Sequence, residues 1–254
     1  MTILLRHHPS FQNRDVHGFD DDFDHIIEGQ SSAGTASDIG TPPWTETGDA
    51  GGETHNIDGV GGQLTLNTDA DDNDEWYFFR TRETFLFADK KPLRWECRLK
   101  FNQVGTNTVN LLVGLMDAVA ANALIDNGGG PKASYSGLVI FVEDGQTAWS
   151  LENSLAGTQV TTRSDQAAAS SSFFTLAAEF NPFSSTQADC FGAIQTGSGN
   201  EFVQFQDTNT RARDISHIIT YTSATEMTFV IGLKAGVGTA PLVTVDRAAC
   251  YQVR

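Results

Sequence analysis

The segment from Asp69 to Glu75 holds the densest group of possible metal ligands in the sequence. Carboxylate oxygens in a loop suit Ca²⁺, and we take Asp69, Asp71 and Asp74 as candidate ligands. An EF-hand loop that began at Asp69 would need Gly at its sixth position and Glu at its twelfth, where this sequence has Asp74 and Arg80. The segment is therefore not an EF-hand. A solvated turn between two strands is the favoured interpretation, and bound calcium is the alternative.

A second acidic group lies between His17 and His25, where Asp20, Asp22 and Asp24 alternate with other residues. Zinc sites require ligands that converge in a fixed geometry. On a strand, these three aspartates would share one face instead. The pattern favours a first strand with an acidic outer face.

Nucleophilic and phosphate-binding motifs are absent from the sequence. It has no Gly-x-Ser-x-Gly segment, and the glycines at 128–130 are not followed by Gly-Lys-Ser/Thr. Cys97, Cys190 and Cys250 are far apart, and each lies within or beside an apolar strand pattern, which favours buried, unpaired thiols. We expect no catalytic residue and no bound cofactor.

Aromatic and cationic residues in loops are the remaining candidates for contacts with a partner. Trp44 follows Pro42-Pro43, and Tyr135 follows a glycine-rich turn, so either ring is a candidate to contact a glycan or another partner. The alternative for Trp44 is that it anchors the arm on the domain or on a neighbour. Trp149 alternates with Leu151, which favours core packing. The polar segment Arg6-His7-His8 is the third candidate contact.

Composition predicts an acidic globular domain. The 254 residues are 39% hydrophobic and include 17 Phe, enough to bury a sizeable core. A net charge of −16 opposes binding to nucleic acid and to anionic membranes, both of which attract basic surfaces. Neither a secretory signal peptide nor an apolar run near 18 residues is evident, so we expect synthesis in the cytoplasm without export.

The elements that must position these residues are strands. Leu93, Trp95, Cys97, Leu99 and Phe101 alternate with charged residues, a period of two that predicts a strand with one apolar face. About a dozen such strands are predicted, together with one short helix at Asp117–Ile125. Residues 1–18 are predicted to form an extended arm, and 19–254 a two-sheet antiparallel sandwich with a long loop at about 28–62.

The order of several motifs resembles the concanavalin A-like (laminin G-like) sandwich. These motifs are the acidic aromatic opening at 19–23, the glycine pair before the strand at 63–66, Val113-Gly114-Leu115, and the closing strand that ends in Val245-Asp246. The resemblance implies an all-β jelly roll. It leaves function open, because the fold hosts lectins, glycosidases and structural modules.

The same resemblance allows the hydrolase alternative to be tested. Laminarinase-like enzymes of this fold carry Glu-x-Asp-x-x-Glu on one strand, which places paired acids on one face. No Glu in this sequence is followed two places later by Asp. A glycosidase with differently arranged acids remains open.

The chain also resembles the sandwich-type accessory proteins of tailed bacteriophages, which are acidic, lack export signals and carry an N-terminal arm. This resemblance implies a non-enzymatic capsid decoration protein of the virion that binds the major capsid protein or other virion proteins and forms a homo-oligomer. The alternative is a lectin-like carbohydrate-binding module on a tail or head fibre.

Overall fold

The computed structural model describes residues 16–23, 37–38, 44–57, 62–102, 109–168, 170–196, 201–209, 213–221, 225–236 and 240–254. These residues form strands and connecting turns. The strands are β1 (Val16–Asp21), β2 (Ser37–Asp38), β3 (Trp44–Gly48), β4 (Glu53–Ile57), β5 (Gln63–Asn67), β6 (Glu75–Arg80), β7 (Phe85–Leu86), β8 (Leu93–Asn102), β9 (Val109–Met116), β10 (Gly137–Val142), β11 (Ala148–Leu155), β12 (Thr158–Ala167), β13 (Ser170–Pro182), β14 (Gln187–Thr196), β15 (Val203–Gln204), β16 (His217–Thr220), β17 (Glu226–Ala235) and β18 (Leu242–Val253).

The strands form two antiparallel sheets. Sheet A has the order β15-β14-β13-β8-β18-β5-β4, with β1 also paired to β18 and β16 to β14. Sheet B has the order β12-β11-β10-β9-β17-β6-β3-β2, with β7 paired to β17. Neighbouring strands are often distant in sequence, as expected for a jelly roll in which the chain crosses between two sheets.

The core lies between the sheets and is built from the apolar members of each alternating strand. The predicted apolar face of β8 is confirmed, because its five apolar side chains are all buried in the main cluster. Trp76, Trp95 and Trp149 are buried in the same cluster, so the aromatic residues supply much of the core.

Strand β9 pairs with β10 and β17, and its Gly114 lies against the backbone of β10. A Cβ at this position would lie 2.4 Å from the Leu138 carbonyl oxygen, and the backbone has φ +149. Glycine is required here because neither the space nor the backbone conformation accepts a side chain.

The all-β, two-sheet antiparallel sandwich predicted from the sequence is therefore observed. Two local predictions are wrong. Asp117–Ile125 forms turns rather than a helix, and the loop predicted at 28–62 contains β2, β3 and β4, which pair with β3, β6 and β5 respectively. The predicted arm, residues 1–18, is also too long, because β1 already begins at Val16 and pairs with β18. Residues 1–15 lie outside the described residues.

The described residues contain no helix with the length and hydropathy of a membrane span.

Candidate functional site: the covered outer face of sheet B

The face of sheet B that points away from the core carries a second apolar cluster. Leu112 and Met116 of β9 and Val139 and Phe141 of β10 alternate with core residues and so face outward. All are buried, because residues 117–136, which we call the cap loop, fold back over them. The cap loop contributes its own apolar side chains to the cluster, namely Ala123, Leu124 and Tyr135.

A buried lysine fastens the cap loop to the sheet. The Nζ of Lys234, on β17, donates to Glu75 Oε2 at 3.1 Å, to Asn122 Oδ1 at 2.9 Å and to the Leu124 carbonyl at 3.1 Å. It also forms an ion pair with Asp126. The side chains of Lys234 and Glu75 are 1% and 4% exposed. We call these groups, together with Tyr77, the Lys234 network.

Glu75 and Tyr77 hold the backbone of the same loop. Glu75 Oε1 accepts from the Asn122 amide at 2.7 Å, and Tyr77 donates from its hydroxyl to Glu75 Oε2 at 2.8 Å. The Leu124 amide donates to the Tyr77 hydroxyl oxygen at 2.8 Å. Burial and the neighbouring Glu75 raise the pKa of Tyr77. The hydroxyl therefore stays protonated and serves as both donor and acceptor.

Glu152 on β11 is the second buried carboxylate of this face. It accepts from Tyr135 Oη at 2.7 Å, from Gln159 Nε2 at 2.8 Å and from the Thr161 hydroxyl. Burial raises the pKa of Glu152, while the three hydrogen bonds oppose that rise. Through these hydrogen bonds, Glu152 holds the cap loop against β11 and β12.

Ion pairs connect neighbouring strands on the outer face of sheet A. Arg94 Nε donates to Glu96 at 2.8 Å and Nη1 donates to Glu179, and all three side chains are at most 5% exposed. Arg247 reaches Asp20 through two bonds of 2.6 Å and Glu96 through one of 3.1 Å. The hydrogen bond to Asp20 is the main cause of a raised pKa at Arg247. This network ties β1, β8, β13 and β18 together.

The candidate calcium ligands lie in the β5–β6 turn. Asp69 and Asp71 are exposed, and Asp74 is partly exposed. Burial, followed by the charges of Asp49, Asp71 and Asp69, raises the pKa of Asp74, which shows that these carboxylates repel one another. Among the described residues, no set of three or more His, Cys, Asp or Glu side chains is arranged to hold a metal ion.

Trp44 does not lie in an exposed loop, and its predicted role as a surface contact is wrong. It is 1% exposed on β3, stacks on Phe78 at 4.6 Å between ring centroids, and donates from Nε1 to Asp21 at 2.7 Å. Strand pairing with β6 draws the ring into the core. A buried ring cannot stack on a glycan.

Tyr135, which belongs to the cap loop, is also buried, at 2% exposure. Its hydroxyl is engaged with Glu152, and burial raises its pKa. The prediction of a surface contact at Tyr135 is therefore wrong as well. Arg6, His7 and His8 lie outside the described residues, so their role as contacts stays a prediction.

The three cysteines are buried and free, as their strand patterns predict. Burial is the first cause of a raised pKa at Cys97, Cys190 and Cys250. A protonated, buried thiol is a poor nucleophile.

Sequence inspection missed Lys234 and Glu152. A signal for Lys234 was present, since it is a lone cation near the end of the largely apolar strand β17. Charged residues are almost never fully buried unless paired. The pairing partners, however, come from β6 and the cap loop, far away in sequence.

The two packed antiparallel sheets match solved structures of the concanavalin A-like sandwich fold. An endo-1,3-β-glucanase from Streptomyces sioyaensis matches with TM-score 0.53 and 14% identity, over 95% of this chain and 98% of that one. The metal-free carbohydrate recognition domain of Emp46p matches with TM-score 0.50 and 14% identity, over 82% and 87%.

A protein of unknown function from Shewanella oneidensis MR-1 matches with TM-score 0.54 and 12% identity, over 94% and 87% of the two chains. At these identities the likeness establishes the fold alone. No protein-family model matches the chain, and no curated protein does.

Proposed function

We propose that this chain is a non-enzymatic structural protein of a virus particle, a decoration protein that binds the outer surface of a phage capsid. The observation that carries the non-enzymatic part is the covered outer face of sheet B. Val139 and Phe141 occupy that face of β10, and the cap loop lies over them.

The buried carboxylates of this face are engaged in holding the structure. A glycosidase needs two carboxyl groups that face the scissile bond, one of them free to transfer a proton. Glu75 binds Lys234, Tyr77 and the Asn122 amide, while Glu152 accepts three side-chain hydrogen bonds. Both residues are almost fully buried beside the cap loop, so neither carboxyl group faces an open cleft that could receive a polysaccharide.

The assignment to a virus particle rests on the resemblance to phage accessory proteins and on charge. A chain with net charge −16 is suited to a partner with a basic face. The major capsid protein is the proposed partner, symmetric multimers of this chain are the proposed state, and the virion is the proposed location. Residues 1–15, which precede β1, are the proposed capsid-binding arm.

A lectin-like module is the second candidate. It is favoured by the similarity to the Emp46p carbohydrate recognition domain. Since Trp44 and Tyr135 are buried, glycan binding would have to use other loops. Calcium at Asp69, Asp71 and Asp74 belongs to this candidate, and a chelator that lowers the melting temperature would indicate it.

Recruitment to particles tests the proposal and separates the candidates. Particles stripped of this protein are mixed with the full chain or with a chain lacking residues 1–15, which keeps β1 intact. We expect saturable binding of the full chain, loss of binding by the shortened chain, and no signal from a glycan array or from β-glucan hydrolysis. Glycan binding without particle binding would favour the lectin, and released sugar would refute the non-enzymatic assignment.

A further inference from the structure

The Lys234 network contains the components of a covalent cross-link. An amine, a carboxamide and a carboxyl group meet at one point, where Nζ lies 2.9 Å from Asn122 Oδ1 and 3.1 Å from Glu75 Oε2. The side chains of Lys234 and Glu75 are buried there. From this geometry we propose that Lys234 and Asn122 form an intramolecular isopeptide bond, assisted by Glu75. The inference does not depend on the proposed function.

The two reacting side chains are joined by a hydrogen bond. The amide carbon of Asn122 is one C=O bond, about 1.2 Å, from the oxygen that Nζ already contacts. Glu75 positions both partners, because Oε2 accepts from Nζ while Oε1 accepts from the Asn122 backbone amide at 2.7 Å. Asn122 has φ 59, a left-handed conformation that Asn tolerates, and this turn directs its side chain towards Nζ. Such positioning replaces a bimolecular encounter with an intramolecular one.

The chemistry balances without an added reagent. Glu75 accepts a proton from Nζ, which leaves the neutral, nucleophilic amine of Lys234. Nζ then attacks Cγ of Asn122 and forms the new C–N bond, while Glu75 moves a proton from Nζ to the departing Nδ2. The Cγ–Nδ2 bond breaks and ammonia leaves, to be released as ammonium with the proton first taken by Glu75. Asn122 is exposed as a whole, so ammonia has a route to solvent.

Asp126 is the competing partner of Lys234, since it forms an ion pair with Nζ. Its side chain is 50% exposed, whereas that of Glu75 is 4% exposed. A hydrated carboxylate is a weak electrophile, and an amide bond to Asp126 would release water rather than ammonia. The two products therefore differ in mass.

Intact-mass measurement of the purified full chain is the test. We expect a mass lower than that of the sequence by one ammonia, and a tryptic map with a branched peptide that joins the Asn122 and Lys234 segments. Glu75→Gln and Lys234→Arg should restore the full sequence mass. Asn127→Gly, the matched control outside the Lys234 network, should keep the deficit, since glycine accepts the positive φ of this position.

Peptide mapping is needed because a succinimide at Asn127-Gly128 would lose the same ammonia. That product is linear, and the branched peptide is not. An unmodified wild-type mass after prolonged incubation, a deficit that maps to Asn127, or a loss of water that maps to Asp126 would each overturn the proposal. The wild-type measurement decides the matter even if a variant fails to fold.

Discussion

At the residue scale, His217 shows how burial fixes a protonation state. It lies on β16 at the edge of sheet A, 5% exposed, and reaches sheet B through both ring nitrogens. Nδ1 lies 2.6 Å from Asn153 Oδ1 and Nε2 lies 2.9 Å from Thr162 Oγ1. Burial lowers the pKa of His217 to about 4. The neutral ring, donating from Nδ1 and accepting at Nε2, therefore joins the edges of the two sheets.

This lowered pKa predicts a loss of stability in acid. In the unfolded chain a histidine titrates near pH 6.5, so between that pH and about 4 the unfolded state binds more protons than the folded state. The contribution of neutral His217 to the free energy of unfolding is complete above pH 6.5 and is lost as the pH falls towards 4. We expect the free energy of unfolding to decrease by up to about 3 kcal/mol over this interval through His217.

Urea unfolding of the wild type and His217→Gln at several pH values measures this contribution. Burial raises the pKa of Glu152 and of Glu179, and these groups act in the opposite direction. The difference between the two proteins isolates the histidine. We expect the wild-type advantage at pH 7 to shrink below pH 6, whereas parallel curves would contradict the assignment.

At the element scale, charge pairs on the outer face of β8 hold this strand to its neighbours. Arg94 bridges β8 and β13 through Glu179 in a buried site, and its guanidinium lies 4.7 Å from the Phe202 ring centroid. Arg98, four residues along the same face, pairs with Asp246 and lies 4.6 Å from the Phe173 centroid, but its side chain is 43% exposed. The two arginines have similar partners and different burial.

This contrast provides a matched pair of substitutions. Arg94→Met leaves the carboxylates of Glu96 and Glu179 buried without their shared partner, and we expect a loss of about 3–5 kcal/mol in the free energy of unfolding. Arg98→Met removes an exposed pair and should cost less than about 1 kcal/mol. Chemical denaturation of both variants gives the comparison. Equal losses would show that burial of the ion pair is not what makes Arg94 important.

Strand identity was predictable where the hydrophobic pattern was local. The apolar residues of β8 alternate with charged ones over nine positions, and all five apolar side chains are buried in the structure. Trp44 shows the opposite case, because Pro42-Pro43 and the surrounding polar residues indicate a loop, while pairing with β6 makes it a core strand. Contacts with a strand some 30 residues away have no local signature.

The helix predicted within the cap loop was wrong for the same reason, because distant partners determine the conformation of this segment. Asp117–Ile125 has a composition compatible with a helix, yet Glu75 and Tyr77 bind the backbone amides of Asn122 and Leu124 and stabilise turns. These partners are 47 residues distant. Burial of Tyr135 depends on the same loop closure, so its predicted exposure was also wrong.

At the scale of the whole molecule, alternation and turn residues were enough to predict a two-sheet sandwich. They could not predict which outer faces are covered, since that depends on where the cap loop closes. The acidity proved to be distributed between exposed turns, such as the one at Asp69 and Asp71, and the partners of buried cations, such as Lys234 and Arg94.

The most direct test of the proposed function is quantitative mass spectrometry of purified phage particles after repeated washing. We expect this chain to be present at a fixed molar ratio to the major capsid protein, and we expect further washing to leave that ratio unchanged. Absence of the chain from washed particles, or a ratio that declines towards zero with each wash, would contradict a role as a decoration protein.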